Sequence, residues 1–511
     1  VVNSTGDASD TTPGDDVCDT GGTVGTDPEC TLRAAIQEAN ASATIDTINF
    51  NIPAAPVGGA HTISVSSSGL PSITSPVTID GATEPDFAGT PVVELNGTGT
   101  NAGVDGLTLG VGADGSTIRG LAINRFTDDG VAGSASGITV VGNHIGTDVA
   151  GTSDLGNGGD GIQADGDNWV IGGTAAADRN VVSGNTDDGV QLFGSGHVVL
   201  GNYIGANAAG TAAIANGDDG VEIASTSTGS TIGGTSAGAR NVISGNGGEG
   251  VLINVSSGHQ VLGNYIGVDS TGSADLGNAS SGVTIQGGAS GNTIGGSAAG
   301  ATNVISGNSV YGIDITGSGT NSNTVVGNYV GTDAAGTADL GNVTDGVAIR
   351  NGAQSNTIGG TTAAERNVIS GNDNDGIWIT GTGTDSNTVQ GNWVGVASDG
   401  SPLGNSYHGV AVEFGAGDNL VGGTAAGAGN RIENNAWDGI AVNGGTGTGN
   451  ALIGNSIKNN TGLGIDIDND GVTANDAGDG DTGDNDLLNY PVITSAVESG
   501  GNVTVTIDLD G

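Results

Sequence analysis

Carboxylates are the residues of this sequence best placed to do chemistry. Toward the C-terminal end Asp466, Asp468 and Asp470 alternate ahead of Gly471, and Asp476, Asp479 and Asp481 follow. Hard oxygen ligands converging where glycine permits a sharp turn are what a calcium loop requires, so calcium on these six aspartates is the expected cofactor. The match is partial: Ala477 stands where the closing bidentate carboxylate belongs, leaving Asp476 or Asp479 to substitute, and the alternative is an acidic linker without an ion. A second group, Asp7, Asp10, Asp15, Asp16 and Asp19, surrounds Cys18 and reads as a solvated loop or a further calcium-holding one.

Glycoside cleavage needs paired carboxylates, and pairs occur at Asp128-Asp129, Asp187-Asp188 and Asp218-Asp219. They recur at one position of a repeat, whereas an active site breaks a repeat, so their recurrence argues against catalysis. Lyase chemistry would need a base such as Arg350, which lies in an outward-looking AIRNG strand with no evident carboxylate partner. Recurrent asparagines mark two equivalent corners, Asn185, Asn246, Asn308 and Asn372 at one, Asn202, Asn264, Asn328 and Asn392 at the other. Asparagine tolerates left-handed turns and bonds to an equivalent neighbour, so these are expected to form structural ladders. Tyr203, Tyr265, Tyr329 and Trp393 follow the second set and would stack on sugars if exposed, or on one another as an aromatic ladder.

What must position these groups is a repeat. The motif N-[VR]-[VI] begins at Asn180, Asn241, Asn303, Asn367 and Asn430, and G-N-[HYW]-[IV]-G recurs with the same period of about 62 residues. Within it, x-Gly-[VI] returns roughly every 31 residues, so Asp188 to Glu249 comprises two coils with different decorations. Each coil holds three short β-prone runs, such as Gly220–Ile223, Ser230–Gly233 and Asn241–Ser244, separated by Gly, Asn, Ser and Thr. Stacked coil on coil at ~4.8 Å, such runs form a parallel β-helix, with Val221 and Ile223 pointing inward and Glu222 outward. Roughly fifteen coils would make a rod on the order of 70 Å. Alternating loops, one after the GN-aromatic run as in Thr332–Leu340 and a shorter TxxGxR loop before NVISGN, predict a ridge along it.

Composition agrees. Glycine supplies 102 of 511 residues with no every-third period, which suits coil corners rather than collagen, and 3% aromatics suit a narrow lumen. With 9 basic against 55 acidic residues and a net charge of −46, nucleic-acid binding through phosphates is excluded. The acidity reads as a solvated surface, a cation-binding one or adaptation to high salt. No stretch approaches the ~20 apolar residues of a membrane helix. A chain starting at Val1 with no leader pattern suggests a processed secreted protein. Cys18 and Cys30 are expected to form a disulfide, with free thiols the alternative; no Cys or His cluster accompanies them to hold zinc.

From Thr31, LRAAIQEANA places Leu32, Ala35, Ile36 and Ala39 on one helical face, suited to covering the open first coil. Cys30-Thr31-Leu32-Arg33-Ala34-Ala35-Ile36 resembles the C-S-L-R-E-A signature at the start of secreted bacterial and archaeal β-helix proteins, with Thr31 for Ser and Ala34 for Glu. The INFNIP, LPSITSPVTIDG, NTIGGT, NVISGN and GNYIGTD segments carry the likeness along the chain. The resemblance implies a right-handed parallel β-helix on a cell surface or in an extracellular matrix, without one established activity. G-H-G and R-I-K segments, expected of polygalacturonase-like glycosidases, are absent.

The expected organisation is a lead-in and capping helix over 1–44, a parallel β-helix over 45–465 with three short strands per coil, an acidic segment over 466–489 and an irregular β tail over 490–511. The expected function is structural or adhesive, extracellular or cell-surface attached, with the tail joining copies head to tail. The alternative is an enzyme or binding protein acting on polysaccharide.

Overall fold

The structure, a computed structural model, describes all residues except 43, 226, 446, 476–481, 489–491 and 509–511. Three parallel sheets of 13, 14 and 14 strands run its length. Sheet A spans Leu107–Leu109 to Ile465–Ile467, sheet B Asp46–Asn49 to Ala451–Ile453, and sheet C His61–Ser64 to Ser456–Lys458. The first coils supply strands to B and C alone; from Leu107 onward the chain visits A, B and C in turn, each coil contributing one strand to each sheet, and the whole is a right-handed parallel β-helix.

Alternation fixes which side chains point in. In sheet A, Val221 pairs with Val190 and Val251, and Ile223 with Leu192 and Ile253, all fully buried in the lumen. Glu222, between Gln191 and Leu252, faces outward. The glycine that precedes a sheet A strand is, up to the last coil, there for close approach: a Cβ on Gly220 would lie 2.4 Å from Ile243 Cγ2 and 2.7 Å from the Gly250 carbonyl. At the far end of the same strands the corner demands positive φ. Gly287, Gly317, Gly381 and Gly444 supply it freely, whereas Val255 (φ 55°) and Phe414 (φ 52°) adopt it under strain.

The N-terminal end is closed by α1, Leu32–Ala41. Thr31 caps it, accepting from Ala34 N (3.1 Å) while donating to Ala8 O, and Leu32, Ala35, Ile36 and Ala39 turn onto the first coils. Arg33 secures the helix through two bonds to Asp7 (2.9 and 2.7 Å) and further ones to Ser66 and Gly69. A Cys18–Cys30 disulfide ties the lead-in to the start of the helix. At the other end Asp484 accepts from Gly445 N and Asn485 from Asn450 N, folding part of the acidic segment back onto the last coil. Val492–Ser499 and Asn502–Asp508 then pair with each other as an antiparallel hairpin.

Candidate functional site

The asparagine corners become continuous columns of buried amides. Asn202, Asn264, Asn328 and Asn392 alternate with Asn180, Asn241, Asn303, Asn367 and Asn430 between sheets B and C. Each Oδ1 accepts the side-chain amide of the asparagine one coil earlier and most accept its backbone N–H as well, as Asn264 does both from Asn241 at 2.9 and 3.2 Å. Asn185, Asn246, Asn308 and Asn372 alternate with Asn216, Asn278, Asn342 and Asn405 in the same way between sheets C and A. A third column, Asn292, Asn323, Asn356, Asn387, Asn419, Asn450 and Asn485, was not singled out from the sequence. Upstream it continues as His259, Ser230, His197 and Trp169, with burial holding His259 low, at about 4, and therefore neutral.

The aspartate pairs resolve into an outer and an inner member. Asp129, Asp188 and Asp219 are buried, and Asp160 joins them on the coil between, so that each carboxylate accepts the backbone N–H of the next member at 2.7–2.9 Å. Glu249 N closes the run on Asp219. Burial, then neighbouring carboxylates, push Asp129 and Asp160 up to about 7, Asp188 to about 8 and Asp219 to about 9. Without a bound cation these carboxyls therefore retain protons to higher pH than ordinary aspartates do. It resumes at Asp345 and Asp375, raised by burial to about 6 and about 8, followed by His408 and Asp438.

Between Glu249 and Asp345 the column position is taken by Ser281 and Tyr311, and here the outer face of sheet A changes character. Arg350 does have a carboxylate partner: its Nε and Nη2 donate to the two oxygens of Asp314 on the neighbouring strand at 2.9 and 2.8 Å. Burial pushes the Asp314 carboxyl up even beside that guanidinium. Two strands beyond Asp314 in the same outward row, Trp378 donates from Nε1 to Glu413 at 2.9 Å, and Asn443 donates to the other Glu413 oxygen. Tyr311 lies 6.4 Å from the Trp378 ring, stacked at 29°, and the Arg350 guanidinium sits 5.4 Å over Tyr311. Ala348, between Asp314 and Trp378 in the register, is fully buried although it points outward. Along the rod, the Tyr407 and Trp437 rings lie 4.6 Å apart, with His408 4.2 Å from Tyr407, and Trp437 is 49% exposed. Two aromatic pairs, a bidentate ion pair and fixed carboxylates thus share one face, where repetition fails.

The aromatic ladder expected at Tyr203, Tyr265, Tyr329 and Trp393 does not form as a ring-on-ring stack. Val242, Val304 and Val368 occupy the intervening coils, and Arg179, Arg240 and Arg366 instead cover the rings at 4.1, 4.0 and 4.3 Å from Tyr203, Tyr265 and Trp393. Tyr203 and Tyr265 are consequently buried and take no part in a sugar surface.

For a metal ion, the described residues bring candidate ligands together at His61, Glu84 and Asp86, at Asp105, Asp128 and Asp129, at Asp160, Asp187 and Asp188, and at Asp188, Asp218 and Asp219. Several acidic clusters could therefore hold a cation. Asp466, Asp468 and Asp470 are not brought together in this way: the buried Asp466 accepts from Gly471 N with one oxygen and has no partner for the other, and Asp468 (φ 76°) turns the chain away. Asp476, Asp479 and Asp481 lie outside the described residues.

No family model matches the chain, and no curated protein matches it. Among solved structures it is similar to the A-module of the Azotobacter vinelandii mannuronan C-5 epimerase AlgE4 (16% identity over 82% of this chain and 92% of that one, TM-score 0.35). A mutant of the periplasmic alginate epimerase AlgG (11%, 77% and 76%, 0.32) and the pectate lyase Pel9A (12%, 70% and 80%, 0.29) are also similar. The assignment of fold rests on this chain's own strand registers. No helix is long and apolar enough to cross a membrane among the described residues.

Proposed function

We propose that the outer face of sheet A between Tyr311 and Trp437 binds a polysaccharide lying across the coils, making this an extracellular or cell-surface β-helix of adhesive type. The observation that carries the reading is the Tyr311–Trp378 stack flanked by Asp314–Arg350 and Glu413, at the place where the aspartate column is interrupted. Aromatic faces stack on sugar rings, and fixed ionic groups orient hydroxyls. A neutral glycan suits the site best, since the rod carries −46 and the positive charge of Arg350 is matched by Asp314. Binding is favoured over cleavage because Asp314 and Glu413 each have both oxygens engaged, leaving neither poised as acid or nucleophile. The head-to-tail filament has less support. Asp7, Asp15, Asp16 and Glu38 crowd one end and Asp466, Asp468, Asp470 and Asp484 the other, so apposed ends repel.

Affinity electrophoresis through gels containing neutral glucan, mannan or xylan, with alginate as the anionic control, tests this. At least one neutral polymer should retard the protein, and Trp378→Ala should weaken retardation at least tenfold without loss of the β-sheet circular dichroism. Equal retardation of the folded variant, or retardation only by alginate, would sink the proposal.

A further inference from the structure

A vacancy in the arginine–aromatic rows forms a second pocket, away from sheet A. In the coils of Tyr203 and Tyr265 the ring is held between two partners. A glycine of the stacked ridge loop approaches from one side, so that a Cβ on Gly210 would lie 3.0 Å from Tyr203 Cε2 and one on Gly272 would lie 2.8 Å from Tyr265 Cζ. From the TxxGxR loop comes an arginine, whose Nε also donates to the glycine carbonyl two residues before the ring, Arg179 to Gly201 and Arg240 to Gly263, both at 3.1 Å.

One coil pair keeps half of this arrangement. Tyr329 retains its ridge glycine, Gly336, 3.1 Å from Cε2 by the same measure, and its preceding glycine, Gly327. The residue that should cover the ring is Thr302, where the equivalent positions are Arg179, Arg240 and Arg366. Where the loop arginine is absent at Gly429, the ring is absent too, since Ser456 takes its place. Among the tyrosine and tryptophan rings of this row, only the one opposite Thr302 is kept without an arginine; the His144 ring, with Gly120 at the equivalent position, also lacks one. A cavity of about 270 Å3 opens here and runs on toward the next ring, lined by Thr302, Gly327 and Tyr329 and, further along, by Arg366, Val368 and Trp393. That is near the lower end of ligand pockets, on the order of 300 Å3, and suits a group of side-chain size.

We propose that this pocket binds a guanidinium group, seated over Tyr329 and donating to the Gly327 carbonyl as the protein's own arginines do in the sister coils. A planar cation over an aromatic face, with an N–H aimed at a fixed carbonyl, is the chemistry those coils display. Arg366 lines the far side of the same cavity, its guanidinium centred over the Trp393 ring two coils further on, so a guest over Tyr329 shares the cavity with one cation at the coil spacing that Arg240 has from Arg179. The strongly acidic rod favours a cationic ligand.

Titration calorimetry of the full chain with agmatine, with putrescine as the matching diamine and an end-blocked Ala-Arg-Ala peptide as a protein-like source, tests the pocket. Agmatine should saturate one site per chain at least fivefold more tightly than putrescine. Thr302→Arg should weaken it more than tenfold, and Arg179→Thr, which opens the same slot over Tyr203, should raise the stoichiometry from one to two. Tighter binding of the peptide than of agmatine assigns the slot to an arginine of a partner; the reverse assigns it to a small guanidine. The inference is overturned by failure of both to bind, by binding that Thr302→Arg leaves unchanged, or by displacement with a neutral oligosaccharide.

Discussion

Replacing Asp188 by asparagine should stabilise the rod in mild alkali and do little in acid. The Asp188 carboxyl is raised from 3.8 to about 8, first by burial and then by Asp160, Glu222 and Asp187. Below about pH 3.8 the group is protonated in both states and its favourable contribution is complete. As pH rises toward 8, the unfolded chain releases a proton that the folded coil retains, so stability falls, levelling off above the folded value. Each unit is worth about 1.4 kcal/mol, so four units set a ceiling of roughly 6 kcal/mol. Asp160 beside it titrates over an overlapping range, so the single-site effect is smaller, on the order of 2 kcal/mol. Asparagine keeps the acceptor for Asp219 N (2.8 Å) and carries no charge to desolvate. Thermal unfolding of wild type and Asp188→Asn, followed by calorimetry from pH 4.5 to 9, reads this directly. The two curves should coincide near pH 4.5 and separate by several degrees at pH 8.5, the variant being the more stable. Wild-type stability that is flat or rises over this range, or a variant with an unchanged slope, refutes the reasoning.

Asn264→Ala should be among the most damaging single changes, costing about 3–5 kcal/mol by denaturant unfolding. It strands the Asn241 backbone N–H and one of its two side-chain amide hydrogens in fully buried surroundings and removes the side-chain bond to the Ile232 carbonyl, each loss worth about 1–3 kcal/mol. At the strained corners, Val255→Gly should raise the melting temperature by relieving positive φ, worth about 1 kcal/mol. Phe414→Gly should do the same to stability, and because Phe414 is 55% exposed beside Glu413, it should also weaken retardation by the glycan that Trp378→Ala affects. Retained affinity would remove Phe414 from the binding face.

What could be read in advance follows from how far each feature depends on register. Inward residues such as Val221 and Ile223 announce themselves through alternation within one strand, and the asparagine corners through repetition. The fold and two amide columns were therefore legible. Pairings between coils were not, because loop decorations change the coil length and shift the partner's distance along the chain. Arg350 finds Asp314 36 residues earlier, while Arg179 finds the Gly201 carbonyl 22 residues later. The aromatic rows were misread for a related reason: the motif recurs every second coil, so valines separate the rings and guanidinium groups cover them. Asp160 escaped notice because it lacks the acidic neighbour that made the pairs conspicuous. The Thr302 vacancy was visible as a substitution in TxxGxR, but its meaning needed the knowledge that arginine lies over tyrosine there.

The amide columns run parallel to the long axis, linking every coil only to its neighbours, and this makes the molecule mechanically directional. Load applied through the hairpin at Val492–Asp508 reaches the last coil first, while α1 and the Cys18–Cys30 bridge secure the opposite end. Tension would then peel coils singly from the C-terminal side. Each coil of roughly 31 residues would release about 100 Å of chain at ~3.4 Å per residue before the next takes the strain. A rod stacked in this way would yield coil by coil rather than failing at once.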